Sequence, residues 1–153
     1  SIGEYYLPVG EEGKKNIWTN FFTGEEQEAG KWYSGKYGYC DIPLMVRPNA
    51  IVAIGACDDN PEYDYADNVL LRVFALEEGQ VAKTEVYNMA GELDFTAEAV
   101  LKDGKITITT DAKKPYRVEL VNVAAASADG AVATQEEKST FLNDCANTVT
   151  VSL

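Results

Sequence analysis

The chain contains no histidine. That removes a Ser-His-Asp triad, a Cys-His pair and the commoner zinc sites from what it can assemble by itself. Cysteine is sparse: Cys40, Cys57 and Cys145 are odd in number and far apart. They do not form a disulfide framework, and they fit a reducing, cytoplasmic setting in which free thiols act as small hydrophobes. Apolar runs fall well short of the roughly 20 residues a membrane helix needs, and there is no basic-then-apolar leader. Basic residues are scarce too, 13 against 25 acidic ones, for a net charge of −12. Nucleic acid and anionic membranes are held by clusters of Lys and Arg, so neither is an expected partner. The surplus of acid favours solubility. Helix signals are few: Ala124–Ala128 has some propensity and Thr140–Ala146 offers one turn. The chain starts at Ser1 without methionine, as a processed or truncated piece does.

What is present reads as β-structure. In Leu93–Leu101 one face carries Leu93, Phe95, Ala97, Ala99 and Leu101, and the other carries Asp94, Thr96, Glu98 and Val100. That is the period-two pattern of a half-buried strand. Ile106 and Ile108 alternate with threonines, as do Val149, Val151 and Leu153 with Thr148, Thr150 and Ser152. Lys102-Asp103-Gly104-Lys105 joins two of these strands, and Asp-Gly supplies the positive φ angles of a type I′ hairpin turn. Tyr116–Val123, Val81–Asn88 and Val69–Leu76 are further strands, and Asp129-Gly130 marks a turn. Short aromatic strands are expected at Tyr5–Leu7, Ile17–Phe22 and Lys31–Tyr33, and buried ones at Leu44–Val46 and Ile51–Ile54.

Both tryptophans and seven of the nine tyrosines precede Gly79. This step in composition predicts two small antiparallel β-sandwich modules in tandem, residues 1–78 and 79–153, with the boundary near Glu77–Gln80. The fold class is all-β.

Two clusters carry possible chemistry. Asp58, Asp59, Glu62, Asp64 and Asp67 could offer oxygens to a hard cation, but the spacing is not that of an EF-hand. Such loops are more often solvated or paired with a neighbouring basic surface, so no metal and no cofactor is expected. Acid pairs also serve glycoside hydrolysis, yet no nucleophile-plus-base constellation can be assembled, and no catalytic residue is assigned. The second cluster is Trp18, Trp32, Tyr33, Tyr37 and Tyr39. Exposed aromatic rings can pack on the C–H faces of sugars. The same residues can instead fill a small core or a domain interface, where aromatics contribute large buried area. A third reading is an apolar side laid bare when a partner domain is missing.

Several blocks, taken in order, resemble one enzyme family: YYLP (Tyr5–Pro8), WTNFFTGE (Trp18–Glu25), GKW (Gly30–Trp32), PLMVRPNA (Pro43–Ala50), IGA (Ile54–Ala56), DDNPEYDYADN (Asp58–Asn68) and LRVFALEEG (Leu71–Gly79). They are similar to the segment that follows the catalytic barrel in glycoside hydrolase family 31, and the PEYDYAD block resembles its α-xylosidase-like branch. Residues 80–153 match in pattern alone. The chain departs from the family in its longer Val9–Asn16 loop, in Asn60 and in Asn68.

The resemblance implies proximal and distal C-terminal β-sandwich modules of a retaining α-glycosidase. The catalytic aspartates would lie in a barrel of the same parent chain, upstream of Ser1, so none maps onto this sequence. The parent would release terminal α-linked xylose, or α-glucose, from oligosaccharides without a cofactor. This chain would pack on the barrel and stabilise it. The alternatives are a carbohydrate-binding module that takes an oligosaccharide on its aromatics, or an oligomer contact region in a homo-oligomeric parent.

Overall fold

The computed structural model describes residues 17–30, 45–54, 69–87 and 90–153, together with the backbone of 2–6 and 32–36. All the described elements are strands, as the alternation predicts. The chain divides into two compact units, Ser1–Pro48 and Asn49–Leu153.

The first unit holds β1 (Ile2–Tyr6), β2 (Ile17–Asn20), β3 (Glu26–Glu28), β4 (Trp32–Lys36) and β5 (Met45–Val46). β1 pairs antiparallel with β4, and β2 lies between β3 and β5 in a small second sheet. The WTNFFTGE block is the β2–β3 hairpin. The Asn20 side-chain carbonyl accepts the backbone N–H of Phe22 at 2.8 Å and of Thr23 at 3.0 Å. The Asn20 backbone N–H donates to Glu25 O at 2.8 Å. An asparagine closing on the N–H groups two and three residues ahead is a local turn code, which is why this block folds as it does.

The second unit contains β6 (Ala50–Ile54), β7 (Val69–Phe74), β8 (Val81–Tyr87), β9 (Leu93–Lys102), β10 (Lys105–Thr110), β11 (Tyr116–Leu120), β12 (Ser127–Asp129), β13 (Val132–Glu136), β14 (Ser139–Asn143) and β15 (Thr148–Ser152). They make two five-stranded sheets, β12-β15-β10-β9-β8 and β13-β14-β11-β7-β6. Every pairing in them is antiparallel except that of β7 with β11. The inner faces share one core that includes Phe95, Ala97, Ile106, Ile108, Val149 and Val151 from the first sheet and Val69, Leu71, Val118, Leu120 and Leu142 from the second. This is the two-layer arrangement of a β-sandwich, with inward apolar residues alternating with outward ones.

The compositional step near Gly79 falls inside this unit. β6 and β7 precede it and β8 follows it, yet their residues join the same core. The chain crosses between sheets over 75–80: Gly79 N–H donates to Leu101 O at 2.8 Å, Gln80 N–H to Glu77 O at 3.0 Å, and Asp103 N–H to the Glu78 carboxylate at 2.8 Å. Asp103 and Gly104 have φ of 54° and 72°, as a type I′ turn requires.

Three expectations are corrected. Thr140–Ala146 is no helical turn, because Ser139–Asn143 is strand β14, whose backbone pairs with both β11 and β13. Ala124–Ala128 is not helical, and its end enters β12, paired with β15. In β9, Leu93 does not follow Phe95 into the core but stands 53% exposed at the strand's end, beyond the bulge at Val86–Tyr87.

Candidate functional site

No reactive centre is built from the groups whose ionisation is perturbed. Cys145 is a free thiol whose Sγ contacts Leu142 O at 3.4 Å. Burial, helped by the neighbouring Asp144 carboxylate, pushes its pKa up to about 11. Only the thiolate is a nucleophile, and at pH 7 such a thiol is ionised roughly once in ten thousand molecules. Tyr116 donates its hydroxyl to Ala146 O, and burial raises its pKa well above the ordinary tyrosine value, with Cys145 adding to the effect. Asn147 Nδ2 donates to Thr110 O at 3.0 Å and Ala112 O at 2.9 Å. These contacts hold the 144–147 connection across the end of the sandwich and leave their groups saturated and poorly reactive. Among the described residues no group of three or more metal-ligating side chains is brought together.

The aromatic candidates separate. Trp18 lies on β2, half-buried, opposite Gln27 on β3. Trp32 and Tyr33 lie on β4, in register with Tyr6 and Tyr5 of β1. Tyr37 and Tyr39 fall outside the described residues, as do Asp58, Asp59, Glu62, Asp64 and Asp67.

The two outer faces of the sandwich differ in kind. That of the β12-β15-β10-β9-β8 sheet presents Lys83, Glu85, Glu98, Thr107, Thr109, Thr148 and Thr150, with the paired Val81 and Val100 beside them and Tyr87 exposed at the end of β8. Its Lys83–Glu98 ion pair, 3.2 Å long, has side chains 69% and 48% exposed. A polar face of this sort is what an antiparallel sheet turns to water. The other sheet's outer face runs in three rows given by the strand register: Arg117, Leu70 and Ile54; then Phe141, Glu119, Arg72 and Val52; then Phe74 and Ala50. Phe74 is fully buried here, and Val52, Ile54, Leu70 and Phe141 are half-buried. At the centre Arg72 Nε donates to Glu119 Oε1 at 3.0 Å and Arg72 Nη2 to Oε2 at 3.4 Å. The Arg72 guanidinium lies 5.0 Å from the centre of the Phe74 ring. The pair's side chains are only 13% and 12% exposed, so this ion pair is largely removed from water. Sequence reading missed it, because its halves come from strands joined in parallel across 47 positions of sequence.

The described residues of the second unit thus form an all-β sandwich that carries an ion pair on one sheet face and assembles no reactive centre. Comparison with known proteins narrows this class. Residues 64–153 match the family described as Alpha-xylosidase YicI, C-terminal domain, and the chain belongs to that family. It is 26% identical over 109 residues to alpha-xylosidase XylQ of Lactiplantibacillus pentosus, covering 69% of this chain and 13% of that protein. It is 34% identical over 76 residues to an alpha-xylosidase of Saccharolobus solfataricus, covering 50% of this chain and 10% of that protein. The chain therefore spans about an eighth or less of the curated relatives it matches. In fold it resembles a GH31 dextranase of Flavobacterium johnsoniae at a TM-score of 0.75 and 12% identity, over 99% of this chain and 24% of that one.

Proposed function

We propose that this chain is the non-catalytic C-terminal region of an α-xylosidase-like family 31 glycoside hydrolase, and that it packs on and stabilises a catalytic barrel carried by the same parent chain. The observation that carries the reading is the family match over residues 64–153, to a domain defined by its C-terminal place in an alpha-xylosidase. Two further features support it. The sequence has no histidine, and its described thiol and buried tyrosine are held in their neutral forms. The relatives it matches are far longer than the matched region. The parent would hydrolyse terminal α-linked xylose or α-glucose from oligosaccharides, with no cofactor. A reducing cytoplasmic setting belongs to the same proposal, supported by three scattered cysteines.

The test is an assay with aryl α-xyloside and aryl α-glucoside on this chain and on its parent. The parent is expected to turn over at least one of them, and this chain alone neither. Release of aryl alcohol by the isolated chain above the buffer rate would refute the non-catalytic assignment.

A further inference from the structure

We propose that Phe22, at the tip of the β2–β3 hairpin, is an anchor that seats the first unit in an apolar pocket on the part of the parent chain preceding the C-terminal domain. The inference rests on the accessory-domain reading above and assigns it a contact residue.

Two adjacent phenylalanines occupy a turn, where glycine and short polar residues are the rule. Phe21 is half-buried, and Phe22 is 72% exposed, more than any other large apolar side chain among the described residues. The others that stand out, Val81, Tyr87, Leu93, Val132 and Leu153, lie between 46% and 56%. The two phenyl rings meet edge to face, with centroids 5.2 Å apart and planes at 89°. That is a favoured aromatic geometry, so Phe21 holds the outer ring in one orientation.

The backbone beneath the rings is fixed as well. The Asn20 side chain accepts the N–H groups of Phe22 and Thr23. Gly24 N–H donates to Asn20 O at 2.9 Å, and Glu25 N–H donates to Thr23 Oγ1 at 3.2 Å. Gly24 has φ of 75°, a conformation a side chain would strain. Each of these bonds is made by backbone, Asn20 or Thr23, so the hairpin closes without the Phe22 side chain. The ring therefore does little for its own turn, and in water it forgoes the free energy that burial would release. An aromatic ring on a preordered tip suits an interface anchor, because little ordering remains to be done on contact.

The arrangement of the chain selects the occupant. The match to the C-terminal domain begins at residue 64, and Phe22 precedes it in sequence. This chain covers 13% of XylQ and 24% of the dextranase, so most of the length of such relatives lies outside it. A domain with a C-terminal place has that length on its N-terminal side, the side on which the first unit stands in sequence. A phenyl ring has no hydrogen-bonding group, so the pocket that receives it is apolar.

The experiment compares this chain with the full parent. Both are exposed to hydroxyl radicals, the dose is normalised to an added phenylalanine peptide, and oxidised side chains are mapped by mass spectrometry. Phe22 is expected to oxidise about tenfold more slowly in the parent, as a ring sealed from water does. In parallel, Phe22→Ser should leave the melting temperature of the isolated chain unchanged and lower that of the parent. Phe22→Leu, which keeps apolar bulk, should lower it less. A residue needed only for the hairpin would destabilise both proteins alike.

Equal oxidation of Phe22 in the two proteins overturns the proposal. So does full protection already present in the isolated monomer, which would place the cover within these 153 residues. Protection of the isolated chain that disappears on dilution overturns it in favour of a second copy, and protection brought on by xylo- or gluco-oligosaccharides overturns it in favour of a sugar contact. Turnover of aryl α-xyloside by the parent is scored separately. An inactive parent with a protected Phe22 sinks the glycosidase reading and keeps the anchor, and an active parent with an unprotected Phe22 does the reverse.

Discussion

Single residues fix the ends of the sandwich, and two glycines show by what means. Gly104 has φ of 72° in the β9–β10 turn, with open space where a Cβ would stand. Gly130 has φ of 87°, and a Cβ there would meet Thr148 O at 2.6 Å. Alanine at Gly104 meets backbone strain alone, about 1 kcal/mol. Alanine at Gly130 adds a collision with backbone that itself belongs to β15, so the loss is expected nearer to about 3 kcal/mol. Chemical denaturation of the two variants checks the order, and equal losses would mean that β15 yields without cost. The 144–147 connection responds to pH. Cys145 has a folded pKa of about 11 against an ordinary 9.0, and Tyr116 is raised as well. Both groups keep their protons longer in the folded state than in the unfolded chain. The Cys145 contribution is therefore intact below pH 9 and is lost as pH rises through 11, whereas that of Tyr116 begins to fall only above its ordinary 10.0. The melting temperature should fall over that interval, and Cys145→Ala should make the fall shallower. A variant with an unaltered pH profile would show that the thiol does not titrate in this window.

At the level of strands, the parallel β7–β11 pair sets Glu119 between Arg72 and Arg117, and this placement predicts an asymmetry. Glu119→Leu removes the carboxylate that accepts both the Nε and Nη2 hydrogens of Arg72 on a half-buried face, and should cost about 3–5 kcal/mol in the isolated chain. Arg72→Met frees Glu119 to turn to Arg117 on its own strand, so the cost should be smaller by about 1–2 kcal/mol. Urea denaturation of both variants measures the difference, and a larger loss for Arg72→Met would mean that Arg117 does not reach Glu119. Legibility in the sequence follows the same physics. β9, β10 and β15 could be read from alternation because one side of their sheet meets the core and the other meets water. β14 could not. Phe141 and Leu142 are neighbours that face opposite sides of a sheet covered on both, so the apolar pattern loses its period. β13 is exposed at all five positions and carries no apolar stripe to detect. The Arg72–Glu119 pair was equally hidden, since no local pattern announces a parallel pairing between distant strands. The aromatic set was visible as residue types, and Trp18 alone of its five members has a described side-chain environment.

For the whole molecule the governing quantity is the net charge of −12, which sets acids against one another over the entire surface. Self-repulsion of this kind weakens the compact state and is relieved by any salt, because screening depends on ionic strength rather than on the ion's identity. A carboxylate cage for a hard cation behaves otherwise, saturating at low concentration and favouring Ca²⁺ far beyond its ionic strength. The described residues bring no such cage together. The acids of 58–67 lie outside the described residues, and the reading of that segment as a solvated loop predicts that they act by repulsion alone. Raising NaCl from about 0.01 M to about 0.1 M, which shortens the screening length from about 30 Å to about 10 Å, should raise the melting temperature by a few degrees. CaCl₂ at matched ionic strength should raise it equally, and a chelator added at constant ionic strength should change nothing. Thermal melts in these three series separate the two origins. A rise that saturates at submillimolar Ca²⁺ and is reversed by the chelator would make the acidic segment a cation site and would end its reading as a solvated loop.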